Sequence, residues 1–225
     1  MEVTRRINYD INRSAERMDA ILSTNNNNFP DLDNIPNHNQ LTLSNGCYVN
    51  VTSLFIDIVG SSDMTDVHKR PTLAKIYRCF ISECTAIMND AALGDLCKEI
   101  NIHGDCVWGV FDAHLQEDIN TVFSVALQLQ SMINTLNDKI YRRYDHSIEV
   151  GIGLDYGRAL MIKAGYAGSE LNDVVWMGNV VNTACHLANK AGRQGLSPIL
   201  VSQNIYSKLS DANKRFFRLS GTEGI

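Results

Sequence analysis

From Tyr48 onward the chain alternates between two hydrophobic periods in an order that few folds accommodate. "YVNVTSLFIDIVG" is apolar and β-branched enough for a buried strand, and "HKRPTLAKIYRCFISECTAIMND" carries apolar residues at the three-to-four spacing of a helix. "CKEINIHGDCVWGVFD" then reads as strand, tight turn and strand, with Gly104-Asp105 at the bend. A second long helix pattern follows in "EDINTVFSVALQLQSMINTLNDKIYRRY", a second hairpin in "SIEVGIGLDYGRALMIKAG", and a third helix in "NVVNTACHLANKAG" ending at Gly192. "PILVSQNIYSKL" adds a strand leading into a helix. This order predicts an α+β fold with a ferredoxin-like βαββαβ core and extra strand and helix elements at its C-terminal end. No internal repeat is visible.

Ahead of that core, residues 5–23 space Ile7, Ile11, Met18, Ile21 and Leu22 as one face of an amphipathic helix. That stretch lacks a basic polar face with aromatic anchors, so it reads as a dimer or domain cover and not as a membrane helix. The Asn-rich segment after it, with Pro30 and Pro36, cannot hold a core and reads as a linker. The expected division is an appendage over residues 1–40 and a catalytic-size domain over 41–225.

Composition limits the partners. With 44% hydrophobic and 20% charged residues this is an ordinary globular chain, and a formal net charge of −5 argues against a nucleic-acid surface. No apolar run of about 18 residues or secretory leader is present, which predicts a cytoplasmic protein without membrane contact. The six cysteines lie at irregular spacings with no CxxC pair, as reduced, mostly buried thiols do. Trp108 and Trp176 read as packing residues.

Asp57 is the anomaly. A carboxylate flanked by Phe55, Ile56, Ile58 and Val59 is costly to bury without a positive partner. If "SLFIDIVG" pairs with the "INIHGDCVWGVF" hairpin, Asp57 and Asp105 meet at one edge of the sheet, where two carboxylates suit a hard divalent cation. Two such ions about 3.5–4 Å apart can clamp attacking and leaving oxygens. The loop after Asp57 offers main-chain N–H groups and the hydroxyls of Ser61 and Ser62 to a triphosphate, with Gly60 allowing close approach.

Four motifs in this order, "FIDIVGSSDMT", "IHGDCVWGVF", "GIGLDYGRAL" and "VWMGNVVNTACHLA", resemble the class III nucleotidyl cyclase catalytic domain over about residues 45–220. The resemblance implies two Mg²⁺ or Mn²⁺ ions held by Asp57, Asp105 and the carbonyl of Ile58. It also implies in-line attack of the ribose 3′ oxygen on the α-phosphate, with loss of pyrophosphate. In that family the site is shared across a head-to-tail homodimer, which makes Asn182 the ribose-orienting residue donated by the partner.

The departures are informative. His186 stands where the family carries a transition-state arginine, and Asn101 where purine cyclases carry a base-reading Lys or Glu. The other base-reading position falls on or beside Val175, and no lysine corresponds clearly to the family's C-terminal phosphate ligand before the chain stops at "SGTEGI". Metal-binding residues without the purine-reading pair resemble the bacterial anti-phage pyrimidine cyclases of the Pycsar type, which make cyclic UMP or cyclic CMP. Asn101, with both a donor and an acceptor, suits a pyrimidine edge. Tyr48 is a candidate to close over the smaller ring, and Arg158 and Lys163 are candidates to replace the missing phosphate contacts. The resemblance implies UTP or CTP as substrate and a separate cyclic-nucleotide-binding effector that reads the product. Two rival readings remain: an adenylate cyclase reading its base through backbone or water, and a degenerate domain that binds nucleotide without turnover.

Overall fold

The computed structural model describes residues 8–67, 70–167 and 171–217. It divides into a smaller unit, made of the chain up to Asn50 together with Arg158–Asn179, and a larger unit of Val51–Gly157 and the chain from Val180 on. Strands β2 (Gly46–Ile58) and β5 (Val150–Gly165) each contribute residues to both.

In the larger unit β2 pairs antiparallel with β4 (Cys106–Phe111), from Thr52 opposite Phe111 to Asp57 opposite Cys106. On its other side β4 pairs antiparallel with β3 (Cys97–His103). The strand order β3-β4-β2-β5, with the short β7 (Ile199–Val201) parallel to β5, is the ferredoxin-like arrangement expected from the hydrophobic pattern. Gly104 takes φ +62° in the two-residue turn between β3 and β4, a conformation open to glycine and suited to the twist of a tight hairpin.

Alternation along β2 sends Leu54, Ile56 and Ile58 to one face. There they join Phe80 of α3 (Arg70–Met88) and Phe123, Leu129 and Ile133 of α4 (Gln116–Tyr144) in the main core. A short helix α2 (Ser61–Val67) follows β2, and α6 (Gln203–Lys208) and α7 (Asp211–Lys214) close the described chain. Helix α5 (Asn179–Lys190) turns Val180, Ala184 and Ala188 inward. It lies so close to β5 that a Cβ on Gly151 would sit 2.1 Å from the Ala188 carbonyl oxygen, and one on Gly153 2.1 Å from that of Ala184. The glycines of "VGIGLD" therefore set how near this helix comes to the sheet.

The smaller unit holds the amphipathic helix read from sequence, α1 (Ile11–Leu22), capped by the Asp10 carboxylate, which accepts from the N–H groups of Asn12 and Arg13. Ile11, Met18, Ile21 and Leu22 are exposed. Its strands are β1 (Asp31–Leu32), parallel to the start of β2, and β6 (Asn172–Met177), antiparallel to the end of β5. Among the described residues no helix is long and apolar enough to cross a membrane.

Because backbone and not a flexible side chain fills the space beside Gly153, a Gly153→Val protein should lose about 1–3 kcal/mol by overpacking. Thermal unfolding should show this as a melting temperature lower by about 2–4 °C per kcal/mol. An unchanged melting temperature would mean that α5 is free to move away from the sheet.

Candidate active site

In the larger unit, the face of the sheet opposite the core carries the candidate site residues of β2 and β3. Phe55 and Asp57 leave β2 on that side, and residues directly opposite in an antiparallel pair share a face. The register Phe55↔Trp108 and Asn101↔Trp108 therefore lines up Phe55, Trp108 and Asn101 in one row across β2, β4 and β3. Phe55 and Trp108 stack with ring centroids 4.9 Å apart and planes 4° from parallel. Both rings are buried, as expected of a packing tryptophan, while Asn101 is half-buried. The Asn101 Nδ2 donates to Glu99 Oε1 at 2.9 Å, two residues back on the same strand face.

The next row contains Asp57, Cys106 and His103, with Asp105 in the adjoining turn. Burial pushes the Asp57 carboxyl above its ordinary value, and the charge of Asp105 pushes it further; the Arg193 guanidinium and the Ile58 N–H oppose the rise. Cys106 is raised to about 12, first by burial and then by Asp57. Tyr77 on α3 hydrogen-bonds Ser61, and its phenol is raised by burial and by the charges of Asp105 and Asp57. Gly60, at φ +66°, and Ser61 follow directly on the strand that carries Asp57.

The cation beside Asp57 is Arg193. Its Nη2 donates to Asp57 Oδ2 at 3.3 Å, while Nη1 donates to the carbonyls of Ala188 at 3.1 Å and Ala191 at 3.4 Å, at the end of α5. Sequence reasoning missed both Arg193 and Tyr77. The available signal for Arg193 was a lone basic residue in the "GRQG" turn after a helix.

A second buried aspartate provides a contrast. Asp155 on β5 accepts from the Ser202 hydroxyl at 2.5 Å, its neighbour's N–H on Tyr156 at 2.8 Å and Asn204 Nδ2 at 3.4 Å. All three groups of the fold converge on its Oδ1, and burial still raises its carboxyl above the ordinary value. Asp57 has one long side-chain partner and a like charge nearby, the environment of a ligand and not of a brace. Among the described residues no three His, Cys, Asp or Glu side chains form a metal cluster. The available donors are two carboxylates and the Ile58 carbonyl, an all-oxygen set that fits Mg²⁺ or Mn²⁺, and the mutual repulsion of Asp57 and Asp105 is what a divalent cation would relieve.

Asn182 and His186 are exposed one turn apart on α5, opposite its buried alanines. Tyr48, Arg158, Lys163 and Val175 belong to the smaller unit. There the Arg158 guanidinium lies 3.9 Å over the Tyr48 ring and holds Asp31 through Nε at 2.8 Å and Nη2 at 2.6 Å. Lys163 is half-buried opposite Val174, Val175 lies opposite Ile162, and Trp176 is buried. The terminal "SGTEGI" lies outside the described residues.

With this geometry in hand, comparison with known proteins is informative. The adenylate and guanylate cyclase catalytic domain matches residues 44–223. The uridylate cyclase of Gulbenkiania mobilis is 39% identical over 207 residues, covering 88% of this chain and 78% of that protein. The uridylate cyclase of Treponema porcinum is 34% identical over 206 residues, covering 92% and 71%. Among solved structures, a class III adenylyl cyclase-like ATP-binding protein from Pseudomonas aeruginosa aligns with TM-score 0.71 at 17% identity, over 92% of this chain and 45% of that one. The adenylyl cyclase CyaB from P. aeruginosa aligns with TM-score 0.62 at 19% identity, over 72% and 80%. At such identities the structural likeness is one of fold.

The strained carboxylate has a pH signature. Because folding raises the Asp57 pKa, the ionised form costs stability above that raised value, and the cost vanishes below the ordinary 3.8, where both states are protonated. In metal-free protein Asp57→Asn should therefore melt higher than wild type at pH 7, with the gain fading as the pH approaches 4. Arg193→Gln, which strips the compensating charge, should melt lower at pH 7. Calorimetry across this range checks both signs.

Proposed function

The chain belongs to the adenylate and guanylate cyclase catalytic-domain family, and on that premise we propose that it cyclises a pyrimidine nucleoside triphosphate, UTP before CTP, to the 3′,5′-cyclic monophosphate and pyrophosphate. The observation that carries the pyrimidine choice is Asn101. A neutral amide occupies the row that starts from the Phe55–Trp108 stack, on the sheet face that carries Asp57. A purine reader of charged Lys or Glu type is absent from that position. The uridylate cyclases at 39% and 34% identity support the same choice.

In this reading Asp57, Asp105 and the Ile58 carbonyl would hold two Mg²⁺ or Mn²⁺ ions. Held by these residues, such ions would supply Lewis-acid stabilisation of phosphoryl negative charge. Arg193 keeps the Asp57 carboxylate aimed from the sheet, since its other nitrogen is tied to the end of α5. Gly60, Ser61 and Ser62 offer main-chain and hydroxyl donors to the triphosphate. Asn182 and His186 act on the site of a partner subunit in a homodimer, Asn182 orienting the ribose and His186 facing phosphate charge. Their exposure together on one face of α5 supports that role. Tyr48 stays the candidate to close over the base, and Lys163 and Arg158 the candidates for phosphate; Arg158 holds Asp31 and would have to release it. The product serves as a cytoplasmic second messenger in anti-phage defence, read by a separate cyclic-nucleotide-binding effector.

Incubation with all four ribonucleoside triphosphates and Mn²⁺, with products identified by mass spectrometry, should give cyclic UMP. The kcat/KM for UTP should exceed that for ATP at least tenfold, about 1.4 kcal/mol of transition-state discrimination. A tenfold preference for ATP would overturn the pyrimidine reading, and nucleotide binding without any product would make this a sensor domain. Composite sites are tested by mixing. Asp57→Ala and Asn182→Ala proteins, each inactive alone, should recover up to about a quarter of wild-type activity after subunit exchange, because half the dimers are mixed and each has one intact site of two. No recovery despite exchange would place the whole site in one chain.

A further inference from the structure

We propose that Glu99 is the residue that makes Asn101 selective, by fixing which end of its amide faces the base; the inference rests on the pyrimidine reading above. The carboxamide of an asparagine has an acceptor at one end and a donor at the other, and its two orientations differ by a half-turn. Uracil presents O4 as an acceptor beside the N3–H donor, whereas cytosine presents the N4 amino donor beside N3 as an acceptor. The two edges are mirror sequences of the same two groups. An Asn101 free to rotate would match either base equally well and would discriminate between neither.

Glu99 removes that freedom. An ionised carboxylate only accepts hydrogen bonds, so only the NH₂ end of Asn101 can face it, and the observed contact is Nδ2 to Oε1 at 2.9 Å. One amide hydrogen is used there. The second hydrogen and Oδ1 remain, in a fixed sense, to meet the base. The contact is built into the sheet, because residues two apart on one strand share a face and β3 is pinned in register by Ile100 opposite Gly109 and Asn101 opposite Trp108. Trp108, stacked on Phe55, backs the same row. Glu99 is thus a positioning residue, with Asn101 as the group that touches the base. To that fixed sense the proposal assigns uracil, on the ground that the relatives at 39% and 34% identity are named as uridylate cyclases.

The test compares kcat/KM for UTP and CTP, with Mn²⁺, in the full-length wild type, Glu99→Gln, Asn101→Ala and the double variant. Glutamine is the same shape but both donates and accepts, so it permits both orientations of Asn101. The UTP/CTP ratio should fall at least about tenfold toward unity in Glu99→Gln, as expected when a site's fixed hydrogen-bonding groups carry the discrimination. In the Asn101→Ala background the same change should leave the ratio where it is. Equal losses on UTP and CTP would show that Glu99 only supports the strand, and a ratio that falls as far without Asn101 would show that Glu99 acts by another route; either overturns the proposal. If Glu99→Gln does not fold, Glu99→Ala, which removes the acceptor altogether, is read by the same criteria. A wild type that prefers ATP to both pyrimidines would instead remove the underlying reading, a result visible before any variant is made.

Discussion

The pairing of β2 with β4 puts Asp57 opposite Cys106, one residue along the chain from Asp105, while the same strand sends Leu54, Ile56 and Ile58 into the core. Side chains alternate with a period of two, so a slip of one residue would bury Asp57 among the helices and expose the leucine and isoleucines. The penalty for that slip is the whole core under α3 and α4. Register is therefore specified by apolar packing on one face, and the position of the carboxylates on the other face follows from it. The tight turn at Gly104 completes the arrangement, because it brings Asp105 back to the sheet edge within two residues.

Holding two carboxylates together in partial burial runs against folding, and the larger unit offsets the cost locally. Arg193 links Asp57 to the end of α5, whose terminal carbonyls are themselves short of donors. One guanidinium thereby serves a helix end and a desolvated carboxylate at once. The compensation is incomplete, since Asp57 still rises above its ordinary value; burial raises Asp155 as well, and what sets Asp57 apart is the like charge of Asp105 beside it. A divalent cation held between the two carboxylates, as the proposed function requires, would relieve that repulsion.

What could be read from sequence was whatever local period encodes. The hairpin at Gly104-Asp105 and the exposed amphipathic helix at Ile11–Leu22 rest on local patterns, and the structure has both, whereas the second hairpin read in "SIEVGIGLDYGRALMIKAG" is one continuous strand, β5, whose antiparallel partner is the unforeseen β6. Asp57 stood out because a charge interrupts an apolar run. Arg193 and Tyr77 carry no such signal: one is a single basic residue in a turn, and the other sits at an ordinary interior spacing on α3. The row Phe55, Trp108, Asn101 depends on cross-strand register, which no single segment contains. The division into two units was also invisible, because it falls inside β2 and β5 and not at a linker.

The Glu99–Asn101 contact is local, between residues two apart on β3, and it bears on how the proposed base-reading position can change chemistry. The purine-reading groups of related cyclases are charged, and a lysine only donates while a carboxylate only accepts, so neither has an orientation to lose. Replacing such a group by asparagine brings an ambiguity that charge had excluded. A second residue must then restore the direction, and it must lie on the same face of the same strand to do so without disturbing the sheet. Glu99, two positions before Asn101 and facing the same way, meets that requirement with a single hydrogen bond. On this view the unit of specificity is the pair and not the asparagine, and any change at position 101 that keeps an amide will depend on what stands at position 99.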